Sequence, residues 1–138
     1  MSNPISTFWS AVDAHITASR ASLGLTDSGR AEQGKTATLT APGVLSWLDL
    51  DAAQIMTHRG KPTSLNVKLI LFCVGSGKAT GAEAVDSAIE IAVAVLSSVA
   101  GATLGGAVLS LADTPLDIIE ANSNRPVVSI TLDCTVRL

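Results

Sequence analysis

Residues 64–101 read as a strand, a glycine turn and a helix in succession, and the rest of the chain has to be arranged around that unit. In residues 64–74, Leu65, Val67, Leu69, Leu71 and Cys73 alternate with Asn66, Lys68, Ile70, Phe72 and Val74. A period of two puts the first set on one face of a sheet and the second on the other. The first face is apolar throughout. The second starts polar and ends apolar, so whatever covers it, a helix or another subunit, covers only that end. In residues 82–99, Val85, Ile89, Ala92, Leu96 and Val99 form a stripe widened by Ala88, Ile91 and Val95. A stripe that broad predicts a helix lying across a sheet.

The turn between them, Gly75-Ser-Gly-Lys-Ala-Thr-Gly81, has the look of a phosphate loop. A P-loop needs GxxxxGK followed by Ser or Thr. Here the first glycine position is Phe72 and the residue after Lys78 is Ala79, so the motif fails twice. As a dinucleotide fingerprint the spacing is one residue too long, and no second parallel unit follows. The reading that remains is structural: glycines reverse the chain, and Thr80 with Glu83 forms a capping box.

Asn3-Pro4 opens a helix, with Asn at the cap and Pro at the first helical position. Ile5, Phe8, Trp9, Val12 and Ile16 recur at helical spacing, and the helix ends at residues 19–22, before Gly24. His15 lies beside this stripe with no ligand partner spaced near it. Residues 25–41 are rich in Thr, Ser and Gly and read as a long polar loop, with 36–41 as an extended stretch within it. The alternatives are plain disorder or a segment that orders against a neighbouring subunit through Asp27, Arg30, Glu32 and Lys35.

Residues 43–50 read as a strand, 54–58 as a weaker one, and Arg59-Gly-Lys-Pro62 as the turn leading into 64–74. The resulting hairpin has a basic tip of His58, Arg59 and Lys61. It is either a solvated turn or a contact for an acidic partner or passing DNA. Glycines 101, 105 and 106 end the long helix, and 107–112 is a short strand or an irregular crossing. Asp113-Thr-Pro115 breaks the chain before a β-like run at 116–121. Residues 122–126 are a turn, and 127–138 give the cleanest alternation in the sequence, an antiparallel strand with one buried face. Asp113, Asp117 and Glu120 read as solvated carboxylates, because no histidine lies near them and a proline breaks their spacing.

The chain is 138 residues, 47% hydrophobic and 15% charged, which fits one ordinary domain. Two Phe, two Trp and no Tyr leave few rings for stacking bases, and a net charge of −3 opposes broad phosphate binding. Cys73 and Cys134 fall inside apolar strand patterns and read as buried free thiols, with a disulfide between neighbouring strands as the alternative. The N-terminus lacks the features of a secretory signal, and the expectation is a protein of the host cytoplasm or of a particle assembled there. Residues 91–112 hold no formal charge and include a GxxxG pattern, which raises a membrane span. The run is mostly Ala, Gly, Ser and Thr, so its transfer energy is poor, and no membrane is expected.

The order is then helix, long loop, strand, hairpin, helix, closing hairpin: an α+β domain, 1–138, with a mostly antiparallel sheet of about five strands and two helices packed on it (α-β-β-β-α-β-β). On residues 43–50, 54–74, 82–99 and 116–138 this pattern resembles the tail-terminator proteins of long-tailed bacteriophages and related contractile particles. That resemblance implies a structural virion protein with no catalytic activity, cofactor or metal. It implies a ring, commonly a hexamer, that caps the tail tube, stops its polymerisation and joins it to the neck or head-completion protein, with DNA passing through the lumen. The basic hairpin tip would face the lumen or an adjoining ring, and the 25–41 loop the neighbouring subunit. Another neck or head–tail joining protein, or a small non-catalytic binding domain of the same layering, are the alternatives.

Overall fold

The computed structural model describes residues 3–30, 42–75, 81–100, 103–119 and 126–138. The elements are α1 (Pro4–Ala18), α2 (Arg20–Leu23), β1 (Asp27–Arg30), β2 (Gly43–His58), β3 (Lys61–Val74), α3 (Ala82–Val99), β4 (Thr103–Leu104), β5 (Ala107–Ile119) and β6 (Val127–Arg137). The strands form one sheet in the order β1-β2-β3-β6-β5-β4. Every pairing is antiparallel except β1 with β2. The α+β architecture expected from the sequence is the one found, with six strands among the described residues where about five were expected.

The centre of the sheet is the β3–β6 pair. It runs from Ser64 opposite Arg137 to Val74 opposite Val127 without a slip. Leu65, Val67, Leu69, Leu71 and Cys73 of β3 and Val128, Ile130, Leu132, Cys134 and Val136 of β6 are all buried on one face. Phe8, Val12 and Ile16 of α1 and Ala88, Ala92, Val95 and Val99 of α3 pack on that face and complete the main core. Such aliphatic burial contributes about 1.5–3 kcal/mol per large side chain, the dominant favourable term for a domain this size.

Local chemistry sets the helix ends. Pro4 sits in the first turn of α1, where no intrahelical N–H is needed. Asn3 caps it through its backbone only: Thr7 N–H donates to the Asn3 carbonyl at 2.8 Å. Gly24 takes the left-handed conformation (φ 73°) that closes α2, and Leu25 N–H reaches back to the Arg20 carbonyl at 2.9 Å. At α3 the cap residue is Gly81, without a side-chain hydrogen bond. The capping box expected from Thr80 and Glu83 involves a residue outside those described.

Three sequence expectations need correction. The buried stripe of α3 is Ala84, Ala88, Ala92, Val95 and Val99, about one residue round from the one expected. Small alanines face the sheet and let the helix approach closely, while Ile89, Ile91 and Leu96 flank the contact half-buried. The segments 43–50 and 54–58 are a single strand, as are 107–112 and 116–119. Residues 27–30, expected within the long loop, form β1, paired parallel to the start of β2. Residues 31–41 lie outside those described.

The expected free thiols are found: Cys73 and Cys134 are both unpaired and buried. Cys73 lies opposite Val128 and Cys134 opposite Val67, six rungs apart on the β3–β6 ladder. That is about 20 Å along the strands, far beyond disulfide reach. The uncharged run at 91–112 is not one helix: it enters from α3 and leaves through β4 and β5. Among the described residues no helix is long and apolar enough to cross a membrane.

Candidate functional site

The strands flanking the central pair behave differently from it. In β2, Asp49 pairs with Lys68 and Gln54 with Asn66, so the four residues 50–53 stand opposite Val67 alone. In β5, Leu111 pairs with Leu132 and Leu116 with Ile130, so 112–115 stand opposite Thr131 alone. Each flanking strand therefore holds three extra residues. An odd insertion exchanges the two faces of a strand. Before its slip, β2 turns Val44, Ser46 and Leu48 into the core; beyond it, Ile55, opposite Leu65, takes that face. In β5, Ala107 and Leu109 face the core; beyond the slip, Leu116 and Ile118 do. The segments beyond both slips are exposed: Ile55 by 62%, Ile118 by 47%, Leu116 and Ile119 by 36% each.

Among the described residues both flanking strands also have a stretch with no strand beside it on the outer side. β1 borders β2 only at Gly43–Ser46, so among the described residues no strand lies outside 47–58. β4 borders β5 only at Ala107 and Val108, leaving 109–119 open in the same sense. The open segments lie at opposite ends of the sheet, because β1 covers the end where β5 finishes and β4 covers the end where it begins.

The β2–β3 hairpin closes through Arg59 (φ 52°) and Gly60 (φ 77°) between the pair His58 and Lys61. Two successive positive φ values make the two-residue turn whose twist matches antiparallel strands. His58, Arg59 and Lys61 are all exposed at this tip.

The residues expected in an inter-subunit loop divide. Glu32 and Lys35 lie outside those described. Asp27 and Arg30 are in β1 and are engaged within their own chain. The Arg20 guanidinium lies 3.8 Å from the Asp27 carboxylate, and its Nε–H donates to Ser28 Oγ at 2.8 Å. Arg30 sits over the Trp9 ring, 5.6 Å from its centroid, a cation–π contact. Trp9 Nε1–H donates to the buried Ser46 Oγ at 2.9 Å, and Ser46 reaches the Gly29 carbonyl at 3.4 Å. This polar clamp fixes a strand that has no hydrophobic pattern of its own, and α1 and β2 supply its anchors.

Among the described residues the histidines and cysteines stand apart from one another. His15 Nε2 is hydrogen-bonded to Ser98 Oγ at 2.8 Å, joining α1 to α3. His58 is at the hairpin tip. Among the described residues no group of three His, Cys, Asp or Glu side chains is placed to hold a metal ion. Burial pushes the Cys73 and Cys134 thiols up to about 12, the opposite of an activated nucleophile. The slip in β2 opens a recess of about 420 Å³ bordered by Gln54, Asn66, Lys68, Asp133 and Thr135, with Thr135 and Asn66 hydrogen-bonded at 3.3 Å. Of the glycine-rich turn, Gly75 is described: a Cβ there would lie 2.5 Å from the Ala88 backbone nitrogen, so this glycine allows β3 and α3 to touch.

The fold and its open edges define a helix-backed antiparallel sheet with unlike borders. No family model and no curated protein matches the chain. Eleven chains of solved structures do. One belongs to the virion of a native gene transfer agent particle. It has 14% sequence identity and a TM-score of 0.68, and the alignment covers 100% of both chains. This chain shares that fold from end to end.

Proposed function

We propose that this protein is a structural subunit of a phage-like particle, and within that class a tail terminator. On this reading it forms a ring, commonly a hexamer, that caps the tail tube, stops its growth and joins it to the neck, with DNA passing through without base-specific contacts. The observation that carries it is the fold shared over the whole of both chains with a gene transfer agent virion protein. Two unlike open edges support it, because head-to-tail contacts between unlike surfaces generate rings when the rotation closes. The likeness to a virion protein supports a non-enzymatic role. The basic tip at His58, Arg59 and Lys61 is assigned to the lumen or the adjoining ring. The stretch from Asp27 and Arg30 through Glu32 and Lys35 is assigned to the border with the next subunit.

The test is native mass spectrometry over a range of concentrations, with negative-stain imaging of the same samples. A closed oligomer of one size, seen as rings, is the expected result. A strict monomer at every concentration, or open filaments, would count against a terminator.

A further inference from the structure

We infer that copies of this chain join edge to edge, the open half of β2 in one copy adding antiparallel to the open half of β5 in the next. The inference rests on the assembly reading above and names the surfaces that make the contact.

Four observations lead to it. A strand with no outer neighbour can template another strand, and among the described residues both borders of this sheet have such a stretch. β2 and β5 run in opposite directions in the sheet, so a second copy with the same face inward presents its β2 antiparallel to this copy's β5. Among the described residues, exposed apolar side chains on the helix-bearing face include Ile55 on one of these segments and Leu116 and Ile118 on the other. The hairpin at the end of β2 presents Arg59 and Lys61, while β5 presents the exposed Asp117. The occupant of each edge is thus the other edge of a second copy.

The position of the open halves adds a geometric consequence. Because they lie at opposite ends of the sheet, neighbouring copies are displaced along their strands when they pair. A closed ring takes up that displacement by tilting the strands to its axis, as in a barrel. Two unlike edges also mean that a copy with one damaged edge still pairs once.

The last point makes the test. Ile55→Asp sets a carboxylate among the apolar side chains of the β2 edge, and Ile118→Asp does the same on the β5 edge, so the two damaged edges also repel each other. Each variant alone is expected at the mass of the 14.0 kDa subunit. A mixture of the two is expected to form a species of twice that mass and nothing larger, since one intact edge of each kind remains. Thermal unfolding of each variant, matched to that of wild type below the concentration at which it assembles, shows that the fold persists. Wild-type oligomers that survive in both variants would overturn the edge assignment and leave the ring reading standing. Wild-type filaments that both variants abolish would support the edge assignment and count against the ring. A wild-type monomer at all concentrations would overturn both. As a check that does not depend on disruptive charges, Ile55→Cys and Ile118→Cys are mixed with a flexible bis-maleimide. The expected product joins unlike variants, and a product from either variant alone indicates a two-fold contact and contradicts the inference. The native thiols are buried and stay silent in this assay.

Discussion

The β3–β6 pair and the strands beside it are built from similar residues and do different work. The central pair keeps one register from end to end, and its inward side chains are sealed under α1 and α3. Each flanking strand starts in register, slips by three residues, exchanges its faces and finishes with isoleucines or leucine in solvent. An unbroken period of two buries a face completely. An odd insertion brings out residues that would otherwise be core, and leaves them on an open border. The difference separates the part of the sheet that holds the domain together from the part left for other contacts.

The largest effect expected from this contrast is at the centre. Leu69→Ala removes a side chain with no exposure and should lower unfolding free energy by about 2–5 kcal/mol, measured by denaturant titration. Ile118→Ala, also a large-to-small change, should stay within about 0.5 kcal/mol in the same titration. A similar loss at both sites would erase the distinction. Gly75→Ala tests the close approach behind the central pair. Its Cβ would meet the Ala88 and Ser87 backbone at 2.5–2.6 Å, and thermal unfolding should register a loss of about 1–3 kcal/mol.

Smaller effects sharpen the boundary. Ser46→Ala leaves the Trp9 indole N–H without its acceptor and loosens the clamp on β1, at a cost of about 1 kcal/mol. The accompanying signal is faster hydrogen exchange in β1, with β6 unchanged. The two thiols give the central strands a pH signature. Their folded pKa is raised from 9.0 to about 12, so below pH 9 they are neutral in both states and contribute nothing to the pH dependence. Above pH 9 the unfolded chain loses these protons first. Stability should then fall by about 1.4 kcal/mol per pH unit for each thiol, until the pH approaches 12. Replacing both by Val should flatten that slope in denaturant titrations at pH 9–11.

How much of this was legible in the sequence follows the same division. Val128 to Val136 alternate without interruption, so β6 and its buried face could be read directly. Each flanking strand read as two pieces, because 50–53 and 112–115 break the alternation and Pro115 looks like a stop. The pairing that bridges each break is a property of the neighbouring strand, invisible locally. β1, Asp-Ser-Gly-Arg, has no pattern to find: its pairing with β2 and its contacts to Arg20 and Trp9 define it. In α3 the larger Val85, Ile89 and Leu96 suggested the wrong centre for the stripe, whereas the sheet selected the alanines beside them. The basic tip was legible from its turn residues. The apolar edges were not, because exposure of Ile55, Leu116 and Ile118 depends on slips that the sequence does not announce.

Amide hydrogen exchange on the wild-type protein, at concentrations above and below its assembly, tests the division most directly. The account predicts that β3 and β6 amides are protected at both. Amides on the open borders, within 47–58 of β2 and 109–119 of β5, should gain protection only at the higher concentration. Border amides that exchange at the same rate at every concentration, or central amides that gain protection with them, would contradict it.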